Sequence, residues 1–211
     1  MSTTNDARFW DRASRKYAAS AIADQAGYER TLERTRSLLE PDARTLELGC
    51  GTGSTALKLA GGVKSYLASD ISSGMITIAK EKHAANPVAG LVFQTATAQT
   101  LAPGADPFNV VLGFNYLHLV PDLSGTLRSI HALLATDGLF ISKTPCLGEM
   151  NPLIPLLLPV MRAIGKAPSV TVFSATELGR QIAAAGFDII ATESHATKGK
   201  EVRPYIVARK R

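Results

Sequence analysis

The stretch TLELGCGTGSTALKLA, Thr45 to Ala60, decides the fold. An apolar run ends at an acid, Glu47. Three glycines follow at alternate positions, Gly49, Gly51 and Gly53, and a helix-like pattern then begins. Glycines at the tip of a first strand let a ligand approach the backbone with no Cβ in the way. The helix that opens behind them is a favourable place for negative charge. The spacing is not that of the dinucleotide fingerprint G-x-G-x-x-G. The third glycine comes one position early, and Ser54 stands where that pattern wants Gly or Ala.

Working outward, strands and helices alternate. RTLELG is the first strand and Thr52–Ala60 the helix after it. VKSYLASD is a second strand ending at Asp70, SSGMITIAKEKHAA a helix, GLVFQTA a third strand and FNVVLGF a fourth. DLSGTLRSIHALLA is helical and DGLFISKTP a fifth strand. Such alternation predicts an α/β fold, a Rossmann-like doubly wound parallel sheet. Before it, to about Glu40, one or two helices are expected. Phe9, Ala13 and Tyr17 share one face, and Tyr28, Leu32 and Leu39 form a second stripe. After Pro145 the pattern breaks, and 146–173 is apolar and proline-rich. Regularity returns at Ser174, which with Glu177 makes a capping-box pair; Gly186 can stop that helix. FDIIATESH and RPYIVARK close the chain as two strands with no full crossover helix between them, so an antiparallel pair is expected.

Asp70 is the second clue. A carboxylate at the end of the second strand can accept both ribose hydroxyls of an adenosine. By itself it could equally be a strand-end turn residue. With the glycine loop, in one βαβ unit, it points to an adenosine-containing ligand.

Composition narrows the class. Hydrophobic residues make up 45% and charged residues 19% of 211, values of a globular chain long enough for one sizeable core. The formal net charge of +5 suggests nucleic acid, but much of the excess sits at the ends, at Arg8, Arg12, Arg15 and Lys16 and at Arg209, Lys210 and Arg211. A solvated basic tail accounts for it, and nucleic acid is not the expected partner. Cys50 and Cys146 have no metal-like spacing, and no metal is expected. The polar N-terminus is no signal peptide, and Asn151–Gly165 is too short and too rich in proline to span a bilayer. The expected location is the cytoplasm.

At this point the chain resembles the class I S-adenosylmethionine-dependent methyltransferases. LELGCGTG is similar to the family's first motif and DISSGMITIAK to its acidic motif, D-x-S-x-x-M. FNVVLGFNYLHLVPD resembles its fourth strand and following loop, LLATDGLFISKTP the next helix, turn and strand, and LGRQIAAAGFDII the late helix and the start of the sixth strand. The resemblance covers roughly Thr45 to Ile190 and a closing strand. It is greatest to the small-molecule methyltransferases of the kind found in ubiquinone and menaquinone biosynthesis. It implies one methyltransferase domain over 1–211, with 1–40 as a helical cap and 146–173 as a variable, substrate-covering insertion. The implied sheet has seven strands in the order 3-2-1-4-5-7-6, the last antiparallel.

The resemblance also implies roles. Gly49, Cys50, Gly51 and Gly53 would lie under the methionine part of S-adenosylmethionine, with Glu47 near its amino end. Asp70 would hold the ribose, and Ile71 and Met75 would pack on the adenine. The family usually places an acid after the third strand to meet the adenine amino group; here the residues are Thr97, Ala98 and Gln99, so only a neutral hydrogen bond is offered. Asn115 would face the methionine and the methyl group.

Methyl transfer from a sulfonium is an in-line displacement that asks the protein for orientation and exclusion of water. The leaving group needs no acid; the acceptor needs a base only if its pKa demands one. His118 is the candidate base, its ordinary alternative being a buried, hydrogen-bonded histidine at a helix start. Tyr17 and Tyr116 are further candidates, and His195 reads as surface. The leucines of 147–172 could line a pocket for an apolar acceptor, pack as a helix, or face a second copy in a homodimer. The rival readings are an RNA methyltransferase, for which Cys146 is the one suggestive residue, though it reads better as a small half-buried side chain; a nicotinamide-dependent oxidoreductase, opposed by the glycine spacing; and a cofactor-binding scaffold without chemistry.

Overall fold

Strand β1 (Arg44–Leu48) sets the two faces of the sheet. Leu46 and Leu48 enter one apolar cluster with Val111, Phe140 and Ile206. Thr45 and Glu47 face the other way, because successive strand side chains alternate. That second face buries Tyr66, Ala68, Val110, Leu112, Ile141 and Val207. Both faces are therefore covered, as a helix-flanked parallel sheet requires.

The structure is a computed structural model and describes residues 3–102, 104, 106–150, 161, 167–197 and 202–211. Helices α1 (Thr3–Ala18) and α2 (Gln25–Arg36) precede β1. Then follow α3 (Ser54–Leu59), β2 (Ser65–Asp70), α4 (Ser73–Ala85), β3 (Leu91–Thr95), β4 (Phe108–Phe114), α5 (Leu123–Leu133), β5 (Leu134–Lys143), α6 (Ala175–Ala184), β6 (Phe187–Glu193) and β7 (Tyr205–Lys210). Among the described residues the sheet has seven strands in the order β3-β2-β1-β4-β5-β7-β6. The first five run parallel, and β7 is antiparallel to both of its neighbours. This is the order and polarity expected from the sequence. The reversal follows from chain length. Only residues 194–204 join β6 to β7, and a parallel crossover needs about a dozen residues or more.

Two boundaries differ from the sequence reading. Helix α3 begins at Ser54 rather than Thr52, because Gly51 and Gly53 are both left-handed, with φ of 54° and 76°. Strand β5 begins at Leu134 rather than Asp137. Leu134 already pairs with Phe108, and the ladder then skips to Val110 opposite Leu139, with Asp137 at φ 60° in the irregular stretch.

Helix α1 is fixed against α4 by a carboxylate. Asp11 Oδ1 accepts from Ser72 Oγ at 2.7 Å, from Gly74 N at 2.9 Å and from Ser73 Oγ at 3.4 Å, so a side chain of α1 serves the N-terminus of α4. Orphan N–H groups and the helix dipole both favour an anion there. These hydrogen bonds hold the Asp11 carboxyl below its ordinary range, with Ser72 the chief cause. The two helices approach so closely at Gly74 that a Cβ would lie 3.3 Å from the Asp11 backbone. A second tie reaches beyond β5: Ser169 N and Oγ each donate to Asp6 Oδ1 at 2.8 Å. The expected insertion at 146–173 falls largely on 151–160 and 162–166, outside the described residues. At its described start, Cys146 is fully buried rather than half-buried, within the β5–α6 face of the core.

Candidate active site

In this strand order β1 lies between β2 and β4, and the chain departs to opposite sides at their C-terminal ends. A crevice opens there, and it holds two adjoining cavities. One, about 450 Å³, is lined by Trp10, Asp70, Ile71, Met75, Gln99 and His118 among others. The other, about 710 Å³, includes Glu47, Cys50, Tyr28, Thr31 and Lys143. Both are of the size of small-molecule sites. Tyr17, Gly49, Gly51, Phe114, Asn115 and Arg203 line both and form their junction.

The three loop glycines do different work. All have positive φ. A Cβ on Gly53 would come within 2.7 Å of the Phe93 ring, and one on Gly49 within 2.7 Å of the Tyr116 ring. Gly53 lines neither cavity; it caps α3 and is required by the protein's own packing. At Gly51 the nearest atom to a Cβ is the Tyr17 ring at 3.6 Å, so this glycine opens directly onto the crevice. The loop is held from below by Cys50 N donating to Ser69 O at 2.9 Å.

Asp70 is bound to the loop it faces. Its Oδ2 accepts from Gly51 N and its Oδ1 from Ser72 N, each at 2.9 Å. Each carboxylate oxygen can accept about two hydrogen bonds, so one further acceptor site per oxygen is consistent with a diol. Burial raises the Asp70 carboxyl, against the pull of the two backbone N–H groups. Glu47 is 3% exposed, and its Oε2 accepts from the Tyr66 hydroxyl at 2.9 Å. Desolvation pushes its carboxyl up to about 7, the Asp70 charge adding to the effect.

The other expected residues are placed as follows. Ile71 and Met75 line the smaller cavity, as do Thr97 and Gln99. Gln99 Nε2 donates to Thr126 Oγ1 at 2.8 Å, while the Thr97 N–H donates to Thr100 Oγ1 at 2.8 Å. Ala98 is buried beneath this turn and lines neither cavity. Asn115 has φ 50° and donates its N–H to Lys143 O at 2.7 Å, a bond that pins the end of β4 to the end of β5. Tyr17 lies on α1 at the junction and is half exposed; partial desolvation together with the Asp70 and Glu47 charges raises its phenol. Burial also raises the Tyr116 phenol. Both phenols are therefore neutral near pH 7.

His118 sits in a single turn of 3-10 helix, Leu117–Leu119, and lines the smaller cavity. The expected alternative, a hydrogen-bonded core histidine, is not what the geometry gives: among the described residues its buried Nδ1 has no hydrogen-bond partner. Desolvation, with the Arg203 charge behind it, lowers the imidazole to about 4, so it is neutral near pH 7. His195 corrects the surface reading. It is 6% exposed and stacks on Tyr205 with ring centroids 4.4 Å apart. Its Nδ1 lies 3.1 Å from Thr31 Oγ1 and its Nε2 3.2 Å from Glu193 Oε2. The chain after β6 folds under α2, whose Thr31 and Thr35 present buried hydroxyls one turn apart.

Trp10, Phe114, Lys143 and Arg203 were not singled out from the sequence. Trp10 and Tyr17 are seven apart on α1 and pack edge to face at 6.2 Å, so an i, i+7 pairing was available as a signal. Lys143 closes the apolar strand LFISK, where a charge marks the strand's exit from the core.

A family model described as a methyltransferase domain matches residues 15–192, and the chain belongs to this family. It is similar to a ubiquinone biosynthesis O-methyltransferase of Caulobacter sp. (strain K31), with 38% identity over 102 residues, 48% of this chain and 40% of the relative. It is also similar to the mitochondrial arginine-hydroxylase of Danio rerio, with 28% identity over 188 residues, 83% of this chain and 57% of the relative. The chain spans less than two thirds of the length of these relatives. Among solved structures, magnesium protoporphyrin IX methyltransferase from Synechocystis PCC 6803 shares the fold, with a TM-score of 0.71, 18% identity, and 98% and 95% of the two chains covered. Among the described residues no helix is long and apolar enough to cross a membrane.

Proposed function

We propose that this protein transfers a methyl group from S-adenosylmethionine to a small acceptor held beside it in the same crevice. The observation that carries the reading is the pairing of Asp70 with Gly51 beside the junction of two cavities, which together give room for an adenosyl cofactor and a second small molecule. The cofactor supplies an activated methyl group on a sulfonium; the chain supplies position. Asp70 receives the ribose hydroxyls. Ile71 and Met75 sandwich the base. With Gln99 Nε2 engaged by Thr126, its Oε1 is the acceptor for the adenine amino group, in place of the usual acid. Glu47 faces the amino end, and Gly51 leaves the backbone open beneath the methionine chain. Trp10 and Tyr17 on α1 stand at the mouth of the crevice.

His118 serves as the base for an acceptor that must lose a proton. Its neutral imidazole has a nitrogen with no partner among the described residues, and it lines the smaller cavity, next to Tyr116. A well-placed base contributes roughly 10²–10⁴ in rate. The test is formation of S-adenosylhomocysteine from S-adenosylmethionine over a panel of quinols, phenols and amines. Turnover with one class, lowered about 100-fold or more in His118→Gln with cofactor affinity unchanged, is the expected result. Cofactor binding without turnover on any of them would favour a binding scaffold.

A further inference from the structure

His118 is placed through its backbone. A working histidine is usually oriented by a hydrogen bond at its second ring nitrogen, but among the described residues the buried Nδ1 of His118 has no partner. The ring therefore sits where its turn puts it. That turn, Leu117–Leu119, is a single one of 3-10 helix, with Leu119 N donating to Tyr116 O at 2.9 Å. Such a turn has poor hydrogen-bond geometry and little of its own to hold it. Neighbouring residues supply the rest. On one side Leu117 N donates to the Thr144 hydroxyl at 3.2 Å. On the other side Thr171 takes hold twice: its N–H donates to His118 O at 2.7 Å and its hydroxyl donates to Val120 O at 2.7 Å.

Residues 168–174 lie in neither helix nor strand, yet they are fixed at two further points. Phe173 is buried in the same apolar cluster as Leu117 and Val120, and its carbonyl accepts from Gly148 N at 3.0 Å. Ser169 is buried, and both its N–H and its hydroxyl donate to the Asp6 carboxylate on α1. Ser169 and Thr171 are two positions apart, so one short strap holds both α1 and the His118 turn. The same helix is tied through Asp11 to the start of α4. Helix α1 thus joins the cofactor side of the crevice to the strap that carries the histidine.

We propose that Thr171 is a positioning residue for His118, and that the Asp6–Ser169 contact makes this positioning depend on α1 being docked at the mouth of the crevice. A base acts only within hydrogen-bond reach of the proton it takes, and a misplacement of about 1 Å can cost about 100-fold in rate. The inference rests on the reading of His118 as the base. The methyl-transfer assay of His118→Gln tests that role, and a titration of the ring tests the positioning by itself.

Thr171→Val keeps the side-chain shape and deletes the hydroxyl, Thr171→Ser restores the hydroxyl, and Asp6→Ala frees Ser169 from α1. The imidazole signals of these variants and of wild type are followed by NMR from pH 5 to pH 8. His118 is the one of the four histidines whose signal is missing in His118→Gln. Desolvation and then the Arg203 charge hold the wild-type ring at about 4, so its signal should not move in this window. The other titratable groups lining its cavity are Asp6, Tyr17, Asp70, Tyr116 and Asp122. Loss of the Asp6 carboxylate would by charge alone lower the ring further, so a rise in Asp6→Ala reports water reaching a released ring. The proposal predicts a midpoint inside the window, toward roughly 6.5, in Thr171→Val and Asp6→Ala, and none in Thr171→Ser. A ring that stays silent in both variants would overturn it, as would equal midpoints in Thr171→Val and Thr171→Ser. A midpoint in Thr171→Val with silence in Asp6→Ala would overturn the dependence on α1. On an acceptor whose turnover His118→Gln lowers, Thr171→Val should cut kcat about tenfold or more and leave KM within about threefold; an unchanged kcat there would overturn the positioning role. Turnover unaffected in His118→Gln would instead strike the base reading and take the catalytic role of Thr171 with it.

Discussion

Replacing Glu47 with Gln should change how stability depends on pH, by an amount the structure sets. The wild-type carboxyl is buried with a single polar contact to Tyr66, and its pKa rises from 4.5 to about 7. The folded state therefore holds its proton more tightly than the unfolded chain does. The stability this lends is complete below about pH 4.5 and drains away as pH rises through 7. At about 1.4 kcal/mol per tenfold change in proton affinity, the total is about 3 kcal/mol. The amide introduced by Glu47→Gln would keep an acceptor for the Tyr66 hydroxyl and carry no titrating proton. Urea denaturation of both proteins from pH 5 to pH 9 gives the difference, since titrating groups that do not interact with Glu47 cancel between them. The wild type should lose about 3 kcal/mol relative to Glu47→Gln across that window, most of it between pH 5 and pH 7.5. A difference that stays constant with pH would show that Glu47 is ionised in its buried position and would refute the reasoning.

Three further outcomes follow from the same geometry. Gly53→Ala forces a Cβ onto a residue at φ 76° and within 2.7 Å of Phe93, and should cost about 2–4 kcal/mol in denaturant unfolding. Gly51→Ala faces only the Tyr17 ring at 3.6 Å; it should cost about 1–2 kcal/mol of stability, from its left-handed backbone, with a larger loss in calorimetric S-adenosylhomocysteine affinity. Asp11→Ala removes the acceptor shared by Ser72 and Gly74 and should cost about 1 kcal/mol, with faster amide exchange over α1 as the direct readout.

Much of the sheet was legible because its signals are local. The continuously buried runs of β1, β4 and β7, the glycine loop and the short β6–β7 connection each follow from a few adjacent residues. The capping residues Ser72, Asp122 and Ser174 all accept from an N–H three positions on, as their helix starts announce. The junction of the two cavities was only partly legible. Gly49, Gly51 and Asp70 stand in recognisable spacing, whereas Lys143 and Arg203 line one cavity only because β5 and β7 pair, and no spacing encodes that placement. His195 was misread for a related reason. A polar residue after an edge strand looks solvated until α2 is placed over it, and its partner Thr31 lies more than 160 positions away. Gly53 shows the converse: its place in the motif suggests a ligand, and Phe93 supplies a purely structural need.

The central claim is that Asp70 and the loop beneath Gly51 bind the adenosyl cofactor of a methyltransferase. Calorimetric titration with S-adenosylhomocysteine, beside NAD and with Asp70→Ala as the comparison, tests it most directly. The account predicts binding of S-adenosylhomocysteine and none of NAD. It also predicts at least about a 100-fold loss in Asp70→Ala, as two charge-assisted hydrogen bonds to a diol require. Equal affinity in the variant, or no heat with S-adenosylhomocysteine at all, would contradict it.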